Sequence, residues 1–252
     1  MNERQRHIET LLFGEPDRIP LTPGAGRKST LEAWHAQGLP AHITRTEDVT
    51  QYAYEQAGGR EVLPRAGNGF FVDQRMIPWF EEKVIERRER TQIVQDWKGN
   101  ICEIGNEFTV EYLRDPIDFV TRAWIRCPVE TRHDFEALKP RYDPHDPRRL
   151  PEQPQEAGAR IRERDWPLTI LVSGPFWQLR EWLGFEPLCL LFYDDPAFVE
   201  EMVEFWQWFV AELLREALKH VTPDVFYVSE DMAYKQFSMI SPAMTRKFLL
   251  PT

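Results

Sequence analysis

The chain has little cysteine: three in 252 residues, Cys102, Cys127 and Cys189, far apart and with no CxxC or CxH spacing. Nothing in that pattern supports a disulfide framework or a local zinc motif. It leaves reduced, buried thiols in a cytoplasmic protein as the expectation. The six histidines, at 7, 35, 42, 133, 145 and 220, form neither an HxH nor an HExxH pattern, and each reads as surface or packing. No apolar run approaches the ~18 residues of a membrane span. The opening, MNERQRHIETLLFGEPDRIP, is too charged for a secretory signal peptide. Basic residues are outnumbered: a formal net charge of −10 argues against a nucleic-acid surface. Short-period repeats and low-complexity tracts are missing as well.

What is present is a sizeable core. Apolar residues make up 42% of the chain, and nine Trp with sixteen Phe are a heavy aromatic load. Most of that load is core, although a pocket for a broad flat ligand draws on the same residues. The length suits one domain, 1–252, with an irregular part over 1–150 and a more regular part after it. Residues 2–13 carry Ile8, Leu11 and Leu12 at helical spacing, and Asp48–Gly58 reads as a second short helix closed by Gly58-Gly59. Lys98-Gly99-Asn100, between β-prone runs, predicts a hairpin. Tyr142–Pro154 is dense in Pro, Asp and Arg and reads as an exposed loop.

Beyond residue 150 the pattern sharpens. PLTILVSGP, residues 167–175, is a short continuous apolar run, as expected of a strand buried on both faces. Asp195-Pro196 opens a long helix with apolar residues at three- and four-residue steps. DVFYV, 224–228, reads as a second buried strand, and Ser241-Pro242 starts another helix with a cap and an N1 proline. Strand, helix, strand, helix at these lengths predicts parallel strands with right-handed crossovers.

Parallel architectures bind ligands at the carboxyl ends of their strands. Two such ends are legible. The first lies in LVSGPFWQLREWLGFE, 171–186, where Ser173-Gly174-Pro175 precedes Trp177 and Trp182. Its glycine marks a plain strand-to-helix corner or the lip of a site. The second is Ser229-Glu230-Asp231. Its two acids either cap the next helix or bind an arginine in the wall, or else face the ligand and bind its donors or act as acid or base. Asp73, in GNGFFVDQRMIP beside an apolar cluster, is a third candidate. PGAGRKST offers Gly24 and Gly26 for close backbone approach and Arg27 for a carboxylate, but it is no Walker motif.

In this order the pieces resemble the uroporphyrinogen decarboxylase superfamily, which includes methyltransferases acting with corrinoid proteins. The similarity rests on NERQRHIETLLFGEPDRIPL at the start, SGPFWQL at a strand end, and DVFYVSEDMAYKQFSMISPAMTRKFLLP. The resemblance implies a (β/α)8 TIM-type barrel, here lacking its last strands, since the chain stops at FLLPT. It implies carboxy-lyase chemistry on an acidic tetrapyrrole, a small-molecule partner, without a cofactor. Asp73 would hold the pyrrole NH groups and the developing ring cation. Arg27 matches the second Arg of an Arg-Gln-Ala-Gly-Arg motif and would bind substrate carboxylates, together with Gly174, Trp177, Ser229, Glu230 and Asp231. Trp177 would pack beneath the site and Trp182 lie closer to the ligand, with plain helix–barrel packing as the alternative. Pro23 stands where the family has the first Arg, and Trp182 where it has a Tyr. The methyltransferase branch would instead require zinc and a corrinoid partner. A non-catalytic remnant is the third reading. Unpaired barrel edges would favour a homodimer.

Overall fold

The computed structural model describes residues 1–20, 27–60, 70–114 and 118–250. Three helices open the chain: α1 (Glu3–Leu11), α2 (Lys28–Ala36) and α3 (Thr46–Gln56). The first starts at a reciprocal cap, in which the Asn2 side chain accepts from the Gln5 N–H and the Gln5 side chain accepts from the Asn2 N–H. A four-stranded antiparallel meander follows, β1 (Lys83–Arg87), β2 (Thr91–Gln95), β3 (Ile101–Gly105) and β4 (Ala123–Arg126), in the order β1-β2-β3-β4. The β2–β3 turn is the predicted Lys98-Gly99-Asn100. Gly99 sits at φ +85°, where a side chain would be strained. The buried Asp96 carboxylate accepts the backbone N–H groups of Lys98 and Asn100, both at 2.9 Å.

The second half is helical around a small parallel sheet. α4 (Arg132–Leu138) and α5 (Pro154–Arg160) lead to β5 (Thr169–Ser173). Then come α6 (Pro175–Leu183), α7 (Phe185–Asp194), the 23-residue α8 (Pro196–Leu218), β6 (Val225–Ser229) and α9 (Pro242–Met244). β5 and β6 pair in parallel, in register from Thr169↔Val225 to Ser173↔Ser229. The main core forms where the apolar stripe of α8 (Phe198, Met202, Trp206, Phe209, Leu213) meets α6, α7 and α4. A second cluster joins Ala217 of α8 and Ala157 of α5 to Ile170 and Val172 of β5.

Three expectations are corrected. The fold is not a (β/α)8 barrel: among the described residues four strands form an antiparallel sheet, and only β5 and β6 are parallel. A barrel needs neighbouring parallel strands on both edges of every strand, and the first half of the chain spends its β-forming residues on the meander. DVFYV is not buried on both faces either, because Phe226, Tyr227 and Val228 are exposed. Nor is Tyr142–Pro154 simply an exposed loop. Tyr142 and Arg149 are buried, and Arg149 is completely enclosed.

Candidate functional site

The two strands end level with each other, and that places their following residues together. Gly174 N–H donates to the Ser229 carbonyl at 2.7 Å. The chain then turns into α6 with Pro175 in its first turn, where the missing N–H costs nothing. Gly174 has no side chain to cap that helix. Glu230 does it from the other strand, its two carboxylate oxygens accepting from Phe176 N–H and Trp177 N–H, each at 2.9 Å. A carboxylate at a helix N-terminus meets both unpaired donors and the positive end of the helix dipole. Burial nevertheless pushes the Glu230 carboxyl above its ordinary range, against the lowering effect of the Trp177 and Phe176 N–H groups.

The same geometry explains the glycine. A Cβ on Gly174 would lie 2.2 Å from Glu230 Oε1 and 2.4 Å from its Cδ. Gly174→Ala is therefore expected to displace the Glu230 carboxylate from its two donors and cost about 1–2 kcal/mol. A urea melt checks this; a midpoint equal to that of the parent protein would refute the cap.

Asp231 turns the other way. Its Oδ2 takes Arg180 Nη2 at 2.7 Å, and Arg180 Nη1 donates to its carbonyl at 3.1 Å. The Arg180 guanidinium lies 5.5 Å from the centre of the half-buried Trp177 ring. One carboxylate of the acid pair caps α6, which lies earlier in the chain and is not the next helix, and the other binds an arginine in the wall. Ser229 pairs with Ser173, whose carbonyl accepts Trp206 Nε1–H at 2.9 Å.

Asp73 reaches these strand ends through its neighbour. Gln74 Oε1 accepts the Ser173 N–H at 2.7 Å. That bond holds Phe70–Arg75 beside β5, where it lines a cavity of about 290 Å³ with Thr169, Ile170 and Leu171. Asp73 is 8% exposed and bound bidentately by Arg75, at 3.0 Å from Nε and 2.9 Å from Nη2. Such a fork fixes the orientation of a carboxylate as well as its charge. The segment is anchored from beneath by Arg149, which donates to the carbonyls of Asp73 and Arg75 and whose own carbonyl accepts the Asp73 N–H.

Two candidates lie elsewhere. Arg27 is exposed at the start of α2, 5.2 Å above the Phe119 ring, and Ser29 ties that helix to Asp118. The cation bound to Asp73 is Arg75, two residues along the chain. Trp182 is 0% exposed, its indole N–H donating to the Tyr142 hydroxyl at 2.9 Å. It belongs to the aromatic core, and a ligand has no access to it. Gly24 and Gly26 lie outside the described residues. Gln74, Arg75, Arg149 and Arg180 were not singled out from sequence. Only Arg75 carried a local signal, an arginine two residues after an aspartate.

Among the described residues no group of three or more His, Cys, Asp or Glu side chains can hold a metal ion. Cys102 and Cys127 are buried, and burial pushes both thiols up to about 11. No helix among the described residues is long and apolar enough to cross a membrane. No protein-family model, curated protein or solved structure matches the chain.

Proposed function

We propose that the chain binds and decarboxylates an acidic tetrapyrrole at the open face of β5 and β6, as its resemblance to the uroporphyrinogen decarboxylase superfamily implies. The observation that carries this reading is the Gln74–Ser173 hydrogen bond. It holds the loop of Asp73 and Arg75 beside β5, whose last residue stands level with Ser229, the residue before Glu230. Leu171 and Tyr227 stand opposite each other in the register and are 48% and 55% exposed. Side chains opposed in a sheet share a face, so the two form an apolar floor leading up to the ion pair. A flat ring with acidic arms needs such a floor, and cations at its rim.

The chemistry asks little more. Protonation of a pyrrole carbon makes the ring a cation. The bond from the arm's CH2 to its carboxylate then breaks, CO2 leaves, and the electron pair neutralises the ring. A proton added to the CH2 and one lost from the ring carbon complete a methyl group. A preorganised carboxylate stabilises the cationic stage, and Asp73, already oriented, supplies it. Arg75, which lines the cavity beside β5, is the guanidinium offered to the arms.

The test is a titration with a polycarboxylate porphyrin followed by Trp fluorescence, together with CO2 release from the reduced porphyrinogen. Asp73→Asn is expected to abolish CO2 release while binding partly survives. Turnover unchanged in that variant, or no quenching by any polycarboxylate porphyrin, removes the reading.

A further inference from the structure

A cleft of about 790 Å³ opens between β4 and the α6–α7 corner, away from the face of β5 and β6. Small-molecule sites span about 300–1,000 Å³ and are mostly apolar with a few polar groups. This cleft has that make-up. Val129 and Leu183 are buried in it, and Trp124, Ile125 and Phe185 are its exposed apolar residues. Two contacts fix its walls. Val129 N–H, just past β4, donates to the Trp182 carbonyl near the end of α6 at 3.0 Å. Gly184, between the two helices, comes so close to Cys127 that a Cβ there would lie 3.3 Å from its Sγ. The cleft therefore stands preformed.

Charge decides what it holds. The lining carries Glu130, Glu181 and Glu186 against Arg126 and Arg180. Four of these five are matched. Arg180 is bound by Asp231 at 2.7 Å, Glu181 by Lys98, and Arg126 stands 3.9 Å from Glu130. Arg122, beside the Trp124 ring, is matched by the buried Asp96 at 3.6 Å. Glu186 is exposed, and its carboxylate has no hydrogen bond or ion pair among the described residues. Helix dipoles leave this balance unchanged. α6 ends and α7 begins at Gly184, so a negative and a positive end meet there. One negative charge is left over on an apolar lining. We infer that the cleft binds an apolar amine, a small molecule with an aromatic or branched aliphatic body and a single ammonium group. The body covers Trp124, Leu183 and Phe185, and the ammonium meets Glu186. An acidic ligand would add to the excess of carboxylate. A neutral one would strip water from Glu186 and give it no partner. A second positive charge would find only carboxylates already matched.

The probes are naphthylethylammonium and naphthylpropionate, which share one body and differ in the sign of their charge. Isothermal titration calorimetry at neutral pH and low salt reads binding. The ammonium is expected to bind at least about fivefold more tightly than the carboxylate. Glu186→Gln is expected to weaken the ammonium by about fivefold, the upper scale of one partly exposed ion pair, and to bring the two probes close to equal affinity. Trp124→Ala removes part of the shared apolar wall and is expected to weaken both probes together. Both substitutions fall on exposed side chains, so the fold survives them. Four results overturn the inference: no binding by either probe, equal binding by both, an ammonium affinity unchanged in Glu186→Gln, or a concentration-dependent dimer that is broken by Trp124→Ala and closed to both probes. The last would give the cleft to a second copy of the chain. None of these bears on porphyrin binding at β5 and β6, so the two proposals fail separately.

Discussion

Arg149→Met is expected to destabilise the protein by about 3–5 kcal/mol, the range seen when a buried charge network loses one partner. Arg149 has 0% exposure. Its guanidinium donates to four backbone carbonyls, those of Asp73, Arg75, Arg141 and Asp143. The ring of Phe209, from the long helix, lies 4.7 Å from it. Burial pushes the guanidinium below its ordinary range, partly opposed by Asp73, yet arginine stays charged throughout. Methionine fills the space but leaves those carbonyls without donors, and each buried orphan costs about 1–3 kcal/mol. Arg149→Lys should rescue little, because one ammonium cannot span acceptors that a planar fork reaches on several sides. Denaturant melts at constant m-value would measure the loss; a shift below about 1 kcal/mol would show that water replaces the guanidinium. The effect extends to the site. The loop that carries Asp73 and Gln74 loses its support, so under the proposed function porphyrin binding is expected to weaken in any variant that still folds.

That arginine marks where sequence reasoning stopped. Its surroundings, YDPHDPRRLPEQP, have the composition of a solvated loop. Composition reports what most residues of a segment prefer, and one enclosed guanidinium does not change it. Elements whose cause is local were legible. α8 declares itself through its three- and four-residue apolar steps, the β2–β3 turn through Gly99, and α9 through Ser241-Pro242. β5 and β6 were also read correctly as strands and as parallel. The barrel was not correct, because an apolar run says that a strand meets something and not what it meets. TILVS and VFYVS look alike in sequence, yet one has two residues buried under α5 and α8 and the other has none. Lateral pairing is decided by residues far away in the chain, and no window of sequence contains it. At the site, Asp73, Gly174, Trp177, Glu230 and Asp231 were singled out, but the arginines that bind the two aspartates, Arg75 and Arg180, were missed. Arg75 was the recoverable one. The same two-residue spacing binds Arg88 to Glu86 and Arg148 to Asp146, so the pairing is a local habit of this chain. Arg180 and Arg149 reach across 51 and 76 positions to their targets.

Trp182→Ala is expected to cost about 3–5 kcal/mol, the usual loss for a large aromatic removed from a core. The indole is fully enclosed among Phe135, Tyr142, Phe205 and Trp206, with ring centres 5.4–6.3 Å apart. Its truncation opens a cavity at the junction of α4, α6 and α8 and strips the Tyr142 hydroxyl of a 2.9 Å donor. Tyr142 is itself buried, and burial pushes its hydroxyl well above the ordinary tyrosine range, so it cannot compensate by ionising. Trp182→Phe separates the two losses. It keeps most of the volume and removes the N–H, and about 1 kcal/mol should remain, the loss of the shorter of two hydrogen bonds that the Tyr142 hydroxyl accepts, the other coming from Gln178 Nε2 at 3.4 Å. The pair of variants also decides between the two roles open to this tryptophan from sequence. A core residue loses stability in both variants, in proportion to volume and hydrogen bonding, while the porphyrin affinity of the folded fraction is unchanged. A ligand-facing residue does the opposite: affinity falls and the melt barely moves. Trp177, half-buried beneath Arg180, is the internal control, since its replacement by alanine should perturb the strand-end surface and leave the core intact.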